Sequence, residues 1–274
     1  MDRLSALLTH FGVSAGTFHS GDFCGISAFD DEEPRGHIHL LQAGQIKLRL
    51  ADNREQLITE PTLIFFPRPY RHRLSSTEAD GTRLVCASLN FNGGVNNPLS
   101  SALPDYLLLP LADVAMLGVT LEWLFREASG DDCGRDATMD RLFELLVIQL
   151  LRYLLATHGM ESGMMAGLAD PRLSRALNQM HANPQQPWTV AELATAANMS
   201  RASFAAHFHS VLGQPPADYL MSWRISLAQK RLRDGKPIAL IADEVGYESS
   251  SALARAFRRK TGTSPRDWLR SQTS

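Results

Sequence analysis

The side chains best able to do chemistry in this 274-residue sequence fall into two groups. A group of histidines, a cluster of three arginines and all three cysteines lie in the first half, while serines and basic residues recur in the last third. His37 and His39 flank a single residue, and strand alternation puts both imidazoles on one face, where they offer nitrogens to a metal or line a polar pocket. Arg68, Arg71 and Arg73 lie close together, and guanidinium forks at that density either hold an anionic effector or sit on a solvated loop. Cys24, Cys86 and Cys133 are an odd count without a metal-finger spacing, which argues against a secreted disulfide scaffold. Serines 200 and 249 each stand where a hydroxyl caps the first free amides of a helix. The run Arg258-Arg259-Lys260 suits phosphates or solvent.

Those residues need elements to hold them. From about Phe18 to Phe91 short β-rich segments alternate with turn residues, and Ile46, Leu48 and Leu50 share one face of a half-buried strand. Many short strands predict a small barrel or sandwich. The period then becomes helical, with apolar residues at Leu117, Leu121, Leu124 and Phe125 and again at Leu142, Leu145, Leu146 and Leu150. The Gly- and Met-rich stretch 158–170 reads as a linker. Beyond it everything is helical in signature, punctuated by Gly213, Pro215-Pro216, Gly235, Gly246 and Gly262.

Composition bounds the class. With 44% hydrophobic and 20% charged residues the chain can bury proper cores, and its length suits two domains. No run has the 18 or so apolar residues of a membrane span, and the start lacks the pattern of a secretory signal, so a cytoplasmic protein without membrane contact is expected. The net charge of −2 conceals an asymmetry: residues 171–274 carry 14 Lys+Arg against 7 Asp+Glu, and the first 170 carry 13 against 22. A basic third attached to an acidic remainder fits a polyanion-binding module joined to something else.

One internal near-repeat, about fifty residues apart, carries the function. WTVAELATAANMSRASFAAHFHSVLGQPPADYL and PIALIADEVGYESSSALARAFRRKTGTSPRDWL each contain a short helix with Ala194 or Ala242 inside, a tight turn and a capping serine. A second helix follows, with an apolar pair ending in Phe208 or Phe257. That is helix-turn-helix twice. The small alanines let two helices cross closely, and the second helix is then presented N-terminus first to a major groove.

Over residues 170 to 269 the motifs DPRLSRAL, HANPQQPWTVAELA, MSRASFAAHFHSVLGQPPADYLMSWRISLAQKRL and IADEVGYESSSALARAFRRKTGTSPRDWL resemble the DNA-binding domain of the AraC/XylS family. The resemblance implies a connecting helix near Pro216 to Arg233 that places both recognition helices on one side of double-stranded DNA. By position it implies base-facing sites at Arg201, Ala202, Ala205 and Ala206 and at Ser250, Ser251, Ala254 and Arg255. Arg201 and Arg255 are the expected guanine readers. Arg224, Arg258, Arg259 and Lys260 are the expected phosphate contacts, with a solvated basic face as the alternative.

Residues 16 to 110 resemble the cupin-like sensor domain of one subgroup of that family, through FHSGDFCGISAF, HIHLLQAGQIKL, LIFFPRPYRHRL and LVCASLNFNGGVNNPLSSALPDYLLL. The resemblance implies that His37 and His39, with His72 from a motif in which Pro69 replaces the usual glycine, surround a possible divalent metal. The customary carboxylate ligand is missing, and an organic effector or a structural role is the alternative. Arg68 and Arg71 are the expected effector contacts. Cys24 and Cys86 fall in strand segments typical of the subgroup, which implies either oxidant sensing or simple burial.

The expected architecture is therefore α+β: a cupin-like β-barrel (1–110), two interdomain helices for dimerisation or signal transfer (111–157), a linker (158–170) and an all-α double helix-turn-helix domain (171–274). The expected function is a non-enzymatic one-component regulator, an activator that binds DNA, contacts RNA polymerase and answers a small molecule, metal or oxidant, with a homodimer as a further expectation. The alternatives are a metal-dependent cupin enzyme fused to a DNA-binding module, and an adaptor that binds DNA without sensing.

Overall fold

The computed structural model describes residues 2–92, 97–157 and 160–272. Helix α1 (Ser5–His10) precedes strands β1 (Val13–Asp22), β2 (Gly25–Phe29), β3 (Gly36–Ala43) and β4 (Ile46–Arg49). Strands β5 (Glu55–Ile58), β6 (Thr62–Phe66), β7 (His72–Ser76) and β8 (Arg83–Phe91) follow, then α2 (Pro98–Ser101) and β9 (Leu107–Pro110). The remainder is helical: α3 (Gly118–Ala128), α4 (Arg135–Ala156), α5 (Gly163–Ala169), α6 (Leu173–Ala182) and α7 (Val190–Ala196). The last five are α8 (Arg201–Leu212), α9 (Pro216–Arg233), α10 (Ile238–Glu244), α11 (Ser250–Thr261) and α12 (Pro265–Ser271). These elements form two units, one of Val13–Val95 and Leu103–Leu154, the other of Met1–Gly12, Asn96–Ala102 and Leu155–Ser274.

In the first unit two antiparallel sheets face each other, one in the order β1-β8-β3-β6-β9 and the other β2-β7-β4-β5. Of the expected barrel or sandwich the unit takes the cupin-like form of two facing sheets, without closure into a barrel. Its ladders stop at the corner between β1 and β2, where Gly21 and Gly25 take positive φ and the chain changes sheet. Leu41, Ile64, Phe66, Leu84 and Cys86 of the larger sheet meet Ile46, Leu48, Leu50, Ile58 and Leu74 of the smaller in one core. As alternation requires, β4 buries Ile46 and Leu48 and exposes Lys47 and Arg49. β6 is buried at every position, the mark of a strand covered on both faces. Helix α4 is tied to β1, where Asp140 accepts from the Thr17 amide at 2.7 Å and its hydroxyl at 2.9 Å.

The second unit is all helical and, among the described residues, includes 2–12, which the expected domain division assigns to the barrel. The physical reason is an apolar stripe, Leu4, Leu7 and Phe11, each 5% exposed or less. Phe11 lies edge-to-face with Trp223 at 5.2 Å, Arg3 donates to the carbonyls of Leu168 and Ala169, and the Asn178 amide donates to the carbonyl of Asp2. Burying side chains such as Leu7 and Phe11 is worth about 1.5–3 kcal/mol each. Of the stretch expected as a linker, residues 158–159 lie outside the described residues, while 163–169 form α5, whose Met165 and Leu168 are buried. A Cβ on Gly167 would come within 2.8 Å of Leu212, so the glycine lets α5 lie directly on α8.

Candidate functional site

The two helix-turn-helix units are built with the same hydrogen bonds. In the first, Ala194 is buried on α7, Asn198 takes φ +54°, and the Met199 amide donates back to the Ala194 carbonyl at 2.9 Å. In the second, Ala242 is buried on α10, Gly246 takes φ +78°, and the Tyr247 amide donates back to the Ala242 carbonyl at 2.8 Å. A left-handed residue at this point turns the chain sharply, and asparagine and glycine are the types that tolerate it. Ser200 then accepts from the Ser203 amide and Ser249 from the Ala252 amide, both at 3.2 Å, capping α8 and α11. A Thr189–Glu192 capping box starts α7.

Each second helix has one buried and one open face. Phe204, Phe208 and Leu212 are buried on α8, and Leu253, Ala256 and Phe257 on α11. The opposite faces hold the residues expected to read bases: Arg201, Ala202, Ala206, Ser251 and Arg255 are exposed, and Ala205, Ser250 and Ala254 are half-buried. Arg258, Arg259 and Lys260 are also exposed, in the last turn of α11, where positive charge favours the carbonyl end of the helix. Arg224 is different. Its Nε donates to the Pro184 carbonyl at 2.6 Å and its Nη2 to the Gln186 carbonyl at 2.8 Å, so this guanidinium braces the loop before α7 instead of standing open to a phosphate. Sequence reasoning missed that brace and the hydrogen bond between His207 and Asp170 at 2.6 Å, because both depend on contacts far apart in the chain.

In the sandwich unit His37, His39 and His72 do meet on the inner face. The His72 Nδ1–H donates to the Tyr70 carbonyl at 2.7 Å, which leaves its Nε2 as an acceptor, and His39 Nε2–H donates to that atom at 2.9 Å. The chain of bonds is electrically neutral, and burial holds His37 and His72 down at about 4 and His39 well below its ordinary value. Phe29 and Phe66 stack on the two sides of the His72 ring. The three imidazoles do not form the expected metal cage. His39 and His72 spend their facing nitrogens on each other, and among the described residues no group of three His, Cys, Asp or Glu side chains is placed to hold a metal ion.

The other expected sensor residues separate. Cys24 lies exposed in the corner between β1 and β2, outside the strand expected for it, whereas Cys86 is buried on β8 and its thiol is pushed up strongly by desolvation. Cys133 is exposed in the loop between α3 and α4. Arg68 is committed, donating to the Leu103 carbonyl at 2.8 Å and pairing with Asp105 at 2.5 Å. Arg71 and Arg73 instead border a cavity of about 450 Å³ together with Arg49, a residue the sequence reading did not select.

A cupin family model matches residues 2–156 and a helix-turn-helix domain model matches residues 193–271. An AraC-like transcription regulator of Streptomyces antibioticus is 46% identical over 70% of this chain and 64% of its own length, and one of Streptomyces lividans is 35% identical over 72% and 66%. The RCS-specific HTH-type transcriptional activator RclR of Escherichia coli is 30% identical over 84% of this chain and 82% of its own.

The chain belongs to the AraC-like family of transcription regulators. It spans about two thirds of the length of the two Streptomyces relatives. In this AraC-like chain the cupin match covers the sandwich with α3 and α4, and the helix-turn-helix match runs from α7 to α12. Among the described residues no helix is long and apolar enough to cross a membrane.

Proposed function

We propose that the chain is a one-component transcription regulator that binds double-stranded DNA by laying α8 and α11 into successive major grooves. The observation that carries this reading is the same turn in both units, with five of the eight expected reading positions exposed and three half-buried. Successive major-groove faces lie about 34 Å apart, a distance a single chain spans when a rigid helix connects the readers. Arg201 and Arg255 are the residues with guanidinium forks suited to guanine, while the alanines of α8 suit thymine methyl groups. Arg258, Arg259 and Lys260 supply salt-dependent affinity.

The sandwich unit is the sensor, and its signal is a small molecule held by the smaller sheet or an oxidant acting at exposed Cys24. The name of the E. coli relative, an RCS-specific activator, supports an activator role and, with it, a contact to RNA polymerase. Met116, Val119 and Trp123 form an exposed apolar stripe at helical spacing along α3 and the turn before it, a face suited to a second copy of the chain. A cytoplasmic location follows from the DNA-binding role. A regulator is preferred to a metal-dependent enzyme because relatives matched over most of their length are named as regulators and because the histidines bond to one another.

Binding of purified protein to fragmented genomic DNA, followed by sequencing, tests the reading. Enrichment of a small set of promoter fragments at moderate salt is expected. Uniform recovery of all fragments contradicts it.

A further inference from the structure

The outer face of the smaller sheet carries an arrangement that folding alone does not favour. Arg73 on β7 lies directly opposite Arg49 on β4 in the strand register, and Arg71 stands just before β7, two residues from Arg73. Like charges in direct cross-strand opposition are destabilising. Arg49 is partly neutralised by Glu55, to which its Nε donates at 2.7 Å. Among the described residues the guanidinium groups of Arg71 and Arg73 make no hydrogen bond or ion pair, and both residues are exposed. The three border the cavity of about 450 Å³ at the end of the sheet, where β2, β4 and β7 converge. Its other lining residues include Asp30, Asn53 and His72.

We propose that this cavity is the effector site of the sensor unit and that it takes a small phosphate monoester with a hydroxylated carbon skeleton. The ligand class follows from the donors. A carboxylate has two oxygens and is filled by one guanidinium fork, whereas a phosphate monoester offers three terminal oxygens and about −1.5 to −2 charges, enough for the forks of Arg71 and Arg73 together. Its charge also relieves the opposition of Arg73 and Arg49. The cavity is too large for phosphate alone, and Asp30 and Asn53 stand where they can bond hydroxyl groups of the remainder. His72 sits between Arg71 and Arg73 in the chain and turns its ring to the inner face, where it donates to the Tyr70 carbonyl and accepts from His39.

The regulatory meaning of the site rests on the DNA-binding reading, but its occupancy does not, and the test separates the two. Calorimetric titration of the full chain with glucose 6-phosphate, glycerol 3-phosphate, 3-phosphoglycerate, AMP, inorganic phosphate and glucose is run beside binding to duplex DNA. At least one monoester is expected to bind with unit stoichiometry and more tightly than inorganic phosphate, and glucose not at all. Loss of one charge-assisted contact in Arg73→Gln weakens that ester by about tenfold or more, and the Arg71→Gln/Arg73→Gln variant abolishes it, while Lys260→Gln leaves it unchanged. Without ligand, Arg73→Gln melts at or above the wild-type temperature, since it removes a repulsion; a merely structural arginine would lower it. Failure of all four esters, or equal binding by the double variant, overturns the proposal. So does a fall of about two in the salt slope for duplex DNA in the double variant, which assigns these arginines to the nucleic acid. A protein that binds an ester but no DNA sequence keeps the site and loses the regulator reading.

Discussion

The guanidinium of Arg224 stands over the ring of Tyr247, 5.7 Å from its centroid, while donating to the carbonyls of Pro184 and Gln186. One side chain on the connecting helix α9 thus holds both the loop that leads into the first helix-turn-helix and the turn of the second. Arg224→Met keeps most of the apolar stem and removes the donors. Two backbone carbonyls lose a charged partner, so an unfolding free energy lower by about 2–4 kcal/mol is expected in urea titrations. Arg258→Met, at an exposed position, should change stability by less than about 0.5 kcal/mol. Equal effects of the two would remove the brace from the account.

Gly246 closes the same junction from the other side. With φ at +78° a Cβ there is strained, and it would lie 2.6 Å from the Gln185 carbonyl oxygen, a backbone atom that cannot swing away. Gly262 has a similar φ of +80° and open space around it. Gly262→Ala is expected to cost about 1–2 kcal/mol, the left-handed penalty alone, and Gly246→Ala clearly more. Thermal melts of the two variants side by side measure the difference, and indistinguishable melting temperatures would contradict the close approach.

The capping serines were legible in the sequence because each depends on residues within one turn of one another, the repeat showed as two like stretches about fifty residues apart, and the expected reading positions of α8 and α11 came from the family resemblance. Ile46, Leu48 and Leu50 likewise announced their buried face by alternation. What escaped the sequence rests on contacts between distant segments. Alternation is satisfied equally by a barrel and by two facing sheets, so closure was not readable. The family motif grouped His72 with His37 and His39, which do lie together, but it does not say whether imidazole nitrogens point at a shared centre or at each other. Arg49 was overlooked because only the register of β4 against β7 brings it to Arg73. The docking of Leu4, Leu7 and Phe11 was missed because a six-residue helix gives too little period to read.

Buried neutral histidines make the fold acid-sensitive. His37 and His72 protonate at about 4 and His181 at about 3 in the folded chain, because burial disfavours their charged forms, against 6.5 when unfolded. Between those values the unfolded chain binds more protons. The contribution of these histidines to stability is therefore level above about pH 6.5, falls as pH drops toward 4, and for His181 goes on falling toward 3. At pH 5 each histidine contributes a loss of about 2 kcal/mol. Urea midpoints at about pH 5 and pH 7.5 should differ accordingly, and His72→Gln should narrow the gap; an unchanged gap in that variant would show that other groups carry the acid response.

Thiol reactivity should divide by burial. The folded protein at neutral pH is expected to react with iodoacetamide at Cys24 and Cys133, which are exposed, and to spare Cys86 until urea is added. Mass spectrometry of peptide digests reads the sites. Labelling of Cys86 at the rate of Cys24 in the native state would contradict its burial.

The pairing of α8 and α11 on one duplex is tested most directly by selecting bound sequences from a random library with the wild-type chain, Arg201→Ala and Arg255→Ala. The account predicts that each variant loses preference at its own position, that the two positions lie about one helical turn apart, and that each loss is about 1–3 kcal/mol. Loss at the same position in both variants, or selected pools with no preference even for the wild type, would contradict it.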